Sequence, residues 1–320
     1  MIDITKDAEY IELKKKFDEY YTESLYPVLK KNERSRYFYL SYVFVLLLMG
    51  FVFYPTIMWY ILHSPMMQDR QNPGMLLAAS GAVLMLLCGP LYLYRKKVKP
   101  DIMPMFANFF GDFEYLYEQV LDSDLLVASD LFGKFNQNIG DDYFCDTYDD
   151  VRITVAEEKL RQVHADDKGN IQKKKVFTGI CILLEMNKNF VGRTVVLEDK
   201  GLFNVFNRVK GLQNVKLEDS KFEKYFEVYA DSQIESRYLL TTAFMERMLK
   251  LRDLYHGTSL QFNFSDNKLL IAIRTKENMF EANSFWRTNL NRKRINRVFD
   301  QFYTIFSIIR ILKLNQRIGM

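Results

Sequence analysis

Residues 37–62 read YFYLSYVFVLLLMGFVFYPTIMWYIL, and no Asp, Glu, Lys or Arg falls between Arg36 and Asp69. A bilayer core about 30 Å thick needs roughly 20 helical residues, so this run is long enough to span. Tyr37, Tyr39 and Tyr42 at one end and Trp59 and Tyr60 at the other suit the two interfacial aromatic belts. Pro55 near the far end kinks such a helix without preventing insertion. A second uncharged run, GMLLAASGAVLMLLCGPLYLY, occupies residues 74–94. Its Ala78, Ala79, Ser80, Gly81 and Ala82 allow close packing against the first helix. Pro65 and Pro73 mark a turn between the two runs, which together predict a transmembrane hairpin over residues 37–95.

Charge sets the orientation. Arg34 and Arg36, with Lys30 and Lys31, precede the first span, and Arg95, Lys96, Lys97 and Lys99 follow the second. The connecting segment carries Arg70 alone, beside Asp69. The positive-inside rule therefore places both termini in the cytoplasm. A cleavable signal peptide is not expected, because about 36 largely polar and charged residues precede the first span and no small-residue cleavage site follows it. Within those 36 residues, Thr5 to Lys31 reads as an amphipathic helix carrying Ile11, Leu13, Phe17, Tyr20, Tyr21, Leu25 and Val28, with Pro27 expected to kink or end it.

Beyond residue 96 the pattern is that of a cytoplasmic domain. Pro100 and Pro104 punctuate the exit from the membrane, and Phe106, Phe109, Phe110, Phe113, Leu116, Tyr117 and Val120 recur at helical spacing. From about residue 142 the period changes to two: Val151, Ile153 and Val155 alternate with polar neighbours, and 160–164 reads as a following strand. Asp166 to Asn170 is a turn, and Val176 to Met186 is apolar enough for a central strand buried on both faces. Asn187 to Asn189 turns the chain, making Arg193–Leu197 the expected antiparallel neighbour. Phe226–Ala230 is a further strand, and 260–264 and 269–273 form a hairpin around Ser265-Asp266-Asn267. A helix runs from about Thr242 to Tyr255, capped by Thr241 or Thr242 and stopped by Gly257. A last, basic helix covers about 290–314. The class that fits is α+β, a largely antiparallel sheet flanked by helices.

Several motifs within this domain are similar to one family. They are Phe177-x-Gly179, Asn187-Lys188-x-Phe190-x-Gly192-x-Thr194, Leu217-Glu218-Asp219-x-x-Phe222-Glu223, Phe226-x-Val228-Tyr229 and Arg237-Tyr238-Leu239-Leu240-Thr241, ending at Met245 and Arg247. They resemble the bacterial membrane proteins known as domain of unknown function 3137, over roughly residues 140–275. The resemblance implies a bacterial inner-membrane protein with paired N-terminal spans. It supplies no catalytic residues.

The residues themselves offer few sites. The acidic run Asp141, Asp142, Asp146, Asp149 and Asp150 carries the carboxylates a hard cation needs, but not EF-hand spacing. Glu185 is expected to pair with Arg193, and Arg237 to anchor a turn or pair with Asp231. Cys88, Cys145 and Cys181 are too few and too scattered for a disulfide framework or, with three histidines, for zinc. Cys181 reads as a packed thiol, and Cys145, beside carboxylates, is not expected to be activated. His164 and His256 read as a strand residue and a helix C-terminal residue. No P-loop, dinucleotide fingerprint or nucleophile elbow occurs.

From Arg287 to the C-terminus, eight Lys/Arg stand against Asp300 alone. The candidate membrane or partner contacts there are Arg292, Lys293, Arg294, Arg297, Phe302 and Phe306, set on a helix whose apolar stripe could equally dock on the sheet. No recognised nucleic-acid motif surrounds them. The sequence thus points to a binding or scaffolding domain on a membrane anchor, with no cofactor, whose partners are the bilayer and a protein or a second copy. The alternative is a membrane-anchored enzyme whose site joins the Asp-rich loop to Arg193 or Arg237. A channel is disfavoured because His63 is the one ionisable side chain of the spans that suits a pathway, and it sits at an edge.

Overall fold

The computed structural model describes residues 7–63, 73–166, 169–186, 190–199, 209, 211–255, 259–276 and 278–314. Helix α1 (Ala8–Tyr20) leads through a π-helical turn (Tyr21–Leu25) into α2 (Tyr26–His63). Pro27 neither ends nor interrupts this helix, contrary to expectation. The π turn lies immediately before it, and the N–H of Tyr26 reaches back to the carbonyl of Tyr21, so the ladder is already displaced where the proline lacks its donor. The first uncharged run lies within α2, and the second within α3 (Pro73–Phe110). Residues 64–72, the expected turn, lie outside the described residues.

Helix α3 continues through Pro100 and Pro104, so these prolines do not punctuate it as expected. It stops at Phe110, where Gly111 follows and the helical spacing read through Val120 fails. Leu116 and Tyr117 belong instead to strand β1 (Glu114–Tyr117). A short helix α4 (Ser123–Ala128), capped by the Asp122 carboxylate, precedes β2 (Gln137–Tyr148) and β3 (Val151–Ala165). Two-residue turns at positive φ in hairpins favour Asp and Asn, and Asp149 and Asp150 (φ 50° and 63°) occupy the β2–β3 connection. Residues 160–164 are therefore the end of β3 rather than a separate strand.

Next come β4 (Ile171–Glu185), β5 (Thr194–Glu198), β6 (Gln213–Val215), helix α5 (Ser220–Glu223), β7 (Phe226–Ala230), α6 (Gln233–Leu239) and α7 (Thr242–Leu254). Thr241 is the α7 cap, accepting from the N–H of Phe244. The hairpin β8 (Leu260–Ser265) and β9 (Lys268–Arg274) turns at Asp266 and Asn267, again at positive φ. Helix α8 (Arg292–Leu312) is the last element among the described residues. The turn at 187–189, His256 and Gly257 lie outside the described residues.

The strands form one antiparallel sheet in the order β1-β2-β3-β4-β9-β8-β5-β7-β6. Strand β4 is central, but its neighbours are β3 and β9, while the strand at Arg193–Leu197 pairs with β7 and β8. The Cys181–Leu184 stretch of β4 pairs with the Leu269–Ala272 stretch of β9, which is apolar on both faces and wins the pairing.

Two compact units emerge: residues 1–18, 103–281 and 296–320, and residues 19–102 and 282–295. The first holds the sheet. One sheet face packs on the stripe of α8, where Phe299, Phe302 and Phe306 meet Phe106, Phe110, Phe144 and Phe280. The other face carries a core of Leu121, Leu126, Leu160, Phe177, Cys181 and Leu270. In the same unit α1 docks on α8. The Tyr10 hydroxyl donates to Asp300 at 2.8 Å, Lys14 to Asn296 at 2.9 Å, Tyr303 and Arg310 donate to Asp7, and Phe17 stacks on Phe299.

In the second unit Glu33 and Arg36 form a buried pair at 2.7 Å, and Arg36 donates to the carbonyl of Phe285. Glu33 also accepts the N–H of Asn289, whose side-chain amide donates to the Tyr94 hydroxyl at 2.7 Å. The segment around 285–289 is thereby fastened to both long helices.

Candidate functional site

The polar cluster in the sheet grows from an irregularity of register. Gly140 faces Glu158 and Tyr143 faces Ala156, so Asp141 and Asp142 together oppose Glu157 alone. Such a bulge re-aims the side chains beside it. Oxygens of Asp141, Asp142 and Glu157 lie within 4.8 Å of one another, with Asp142 and Glu157 fully buried. Lys159 Nζ stands 3.7 Å from Asp141 Oδ2, which also accepts from the Asn278 amide at 3.1 Å. Asp142 accepts from the Tyr115 hydroxyl at 2.8 Å. Burial, then the charge of Asp142, pushes the Tyr115 phenol far above its ordinary range. Three carboxylates at this spacing could hold a hard divalent cation or share a proton.

Asp141, Asp142 and Asp146 therefore sit on strand β2, not in a loop, and Asp149 and Asp150 belong to the hairpin turn. Glu157, Lys159, Tyr115 and Asn278 were not legible as partners. The one signal was two consecutive glutamates inside the strand pattern VRITVAEEKL, which must point to opposite sheet faces. Glu158, on the other face, accepts from the N–H of Leu121 at 2.7 Å. Burial raises its carboxyl to about 7, against the opposing effect of the Leu121 and Asn138 hydrogen bonds.

The arginines proposed to join this cluster are held elsewhere. Arg193 pairs with Asp130 at 2.6 Å and donates to the carbonyl of Ala128, while its own N–H is accepted by Asp231. Glu185 consequently pairs across the β3–β4 ladder with Arg152, at 3.9 Å, rather than with Arg193. Arg237 donates to the carbonyl of Lys216, an anchoring role. Cys181 is buried, and its thiol is pushed up by burial and by Glu158. Cys145 is raised by burial and by Glu114.

On α8, Phe302 and Phe306 are buried in the aromatic core. Lys293 and Arg297 are exposed, and the Arg292 guanidinium lies 3.8 Å over the Tyr21 ring. Of the flanking basic residues, Arg34, Arg95, Lys96 and Lys97 are exposed, whereas Arg36 and Lys99 are buried. A cleft of about 410 Å³ is lined by Ala243, Glu246, Arg247, Lys250, Ile311 and Lys313.

Among the described residues, one helical stretch, Ala8–Phe53, is long and apolar enough to cross a membrane. Beyond Arg36 most of its apolar side chains are uncovered: Phe38, Phe44, Leu47, Leu48, Phe51 and Val52 are all more than half exposed, while Val43 is buried.

Residues 175–314 match the model of a family described as protein of unknown function (DUF3137), the family to which the motifs pointed. The match begins within β4 and extends through α8. No curated protein matches the chain. The crystal structure of the mycobacterial trehalose monomycolate transport factor A, TtfA, is similar at 15% identity, with a TM-score of 0.34, over 65% of this chain and 92% of that one. A likeness at that level carries no argument about fold or activity.

Proposed function

We propose that this is a bacterial inner-membrane protein whose α2 and α3 form a two-span hairpin and whose α+β domain is a cytoplasmic binding or scaffolding module. The observation that carries the reading is the exposure of α2. A helix apolar on every side would be buried in a soluble core, and a continuous uncovered apolar surface of this kind belongs against lipid. The docking of α1 on α8 supports an even number of crossings. Ala8–Asp18 and the sheet share one unit, so a chain that leaves the cytoplasm along α2 must return before residue 103. Exposed Arg34, Arg95, Lys96 and Lys97 favour cytoplasmic termini, and exposed Lys293 and Arg297 suit anionic headgroups or an acidic partner surface.

Two measurements on the full-length chain test this. Alkaline washing of membranes should leave the protein in the pellet. In a background lacking Cys88, Cys145 and Cys181, a membrane-impermeant maleimide should label Asp69→Cys from outside intact cells and Lys313→Cys only after lysis. Release by alkali, or labelling of Lys313→Cys in intact cells, would overturn the reading.

A second reading, a membrane-anchored enzyme, rests on the convergence of Asp141, Asp142 and Glu157. Stabilisation of the protein by magnesium or calcium, absent in Asp142→Asn, would favour it. Indifference to both ions would count against its metal-dependent form.

A further inference from the structure

Trp286 is 66% exposed on the segment between β9 and α8, although its neighbours on that segment are fixed. Its ring meets Phe285 edge-on at 4.9 Å, and the buried Phe285 in turn meets Tyr94 at 5.4 Å. The backbone of the same segment is held by Arg36 at the Phe285 carbonyl and by Glu33 at the Asn289 N–H. These anchor points share one level. In α2 the last charge before the uncharged run is Arg36, and in α3 the last uncharged residue before the basic cluster is Tyr94. The segment is therefore fastened where both helices change from apolar to charged.

We propose that the Phe285–Trp286–Arg287 segment is an interfacial anchor, with Trp286 inserted among the headgroups and upper acyl chains of the cytoplasmic leaflet. This rests on the membrane-hairpin reading above. The chemistry fits the depth. An indole prefers the boundary between hydrocarbon and water, where its ring is desolvated and its N–H still finds an acceptor. Arg287, exposed beside it, can reach lipid phosphate. The Phe285 and Asn289 contacts fix the segment in advance, so less ordering is required when the bilayer is met.

The chain has two tryptophans, which supply both the probe and its control. Full-length Trp59→Phe, leaving Trp286, and Trp286→Phe, leaving Trp59, are each reconstituted in vesicles of phosphatidylcholine and phosphatidylglycerol. Trp286 emission should be blue-shifted, quenched at least twofold by phospholipids brominated near the headgroup end of their chains, and weakly quenched by aqueous iodide. Water-like emission with full iodide access, while Trp59 is quenched by brominated lipid, would overturn the anchor and leave the hairpin standing. Failure of brominated lipid to quench either tryptophan would overturn both.

Discussion

The carboxylate of Glu158 accepts the backbone N–H of Leu121 at 2.7 Å, in a cross-strand row that sets it between Gly140 and Gly179. The side chain is fully buried, and its carboxyl is raised from 4.5 to about 7. In the window between those values the folded protein holds a proton that the unfolded chain has released. Stability should therefore fall as pH rises from about 4.5 to 7 and be unaffected by this group above that, by an amount on the order of 3 kcal/mol. Glu158→Gln keeps an acceptor for Leu121 and removes the titration. Thermal unfolding in detergent across this window should show a shallower decline for the variant, and parallel curves would refute the assignment.

Gly179 sits in the β4–β9 ladder, where an added Cβ would collide with the carbonyl oxygen of Ile273. The oxygen belongs to ladder backbone that cannot swing aside, so Gly179→Ala should cost about 1–3 kcal/mol. Gly133 is the matched control, since its Cβ would meet Val176 at an ordinary 3.6 Å. Gly133→Ala should stay within about 0.5 kcal/mol. Equal denaturation midpoints for the two variants would contradict the steric argument.

The Glu33–Arg36 pair is nearly inaccessible, at 9% and 7% side-chain exposure. Burial alone would raise the Glu33 carboxyl. The Arg36 and Asn289 donors outweigh it and hold the group below its ordinary value. Its stabilising share is present at neutral pH and is lost as acid protonates the carboxylate. Arg36→Ala should cost roughly 3–5 kcal/mol by stranding a buried charge, while Arg36→Met combined with Glu33→Gln should recover most of that. Additive effects in the double-mutant cycle would show that the pair is not coupled.

Phe302 touches Phe110, Phe144 and Phe280 with ring centroids at 5.8, 4.9 and 4.8 Å. Phe302→Ala should lower domain stability by about 3–5 kcal/mol and leave membrane retention unchanged. Selective loss of membrane retention, with unfolding unaffected, would mean that the ring faces lipid instead.

Much of the fold was legible where periodicity and turn chemistry agree. The β8–β9 hairpin announces itself through Asp266-Asn267, α7 through Thr241, and α8 through a stripe from Val298 to Leu312 that is buried throughout. Legibility failed where pairing is non-local. Nothing near Arg193 says that its strand avoids β4, because β9, which begins at Lys268, 75 residues further on, supplies the better apolar match. It failed too where helical spacing in Phe106–Val120 crosses Gly111 into a strand. The carboxylate cluster was half visible. Asp141 and Asp142 stood out as an acidic run, but Glu157 joins them through a bulge, and the register that makes a bulge is set by strands, not by adjacency.

The seating of α1 against α8 also dictates the order in which the molecule can be built. Tyr10 and Phe17 are made well before their partners Asp300 and Phe299, which lie more than 280 residues further along the chain. Contacts so distant along the chain form late. If α2 and α3 form the proposed membrane hairpin, they are synthesised before that closure, so closure of the domain would follow insertion rather than precede it. A chain cut before residue 292 would lose α8 and leave α1 with no seat.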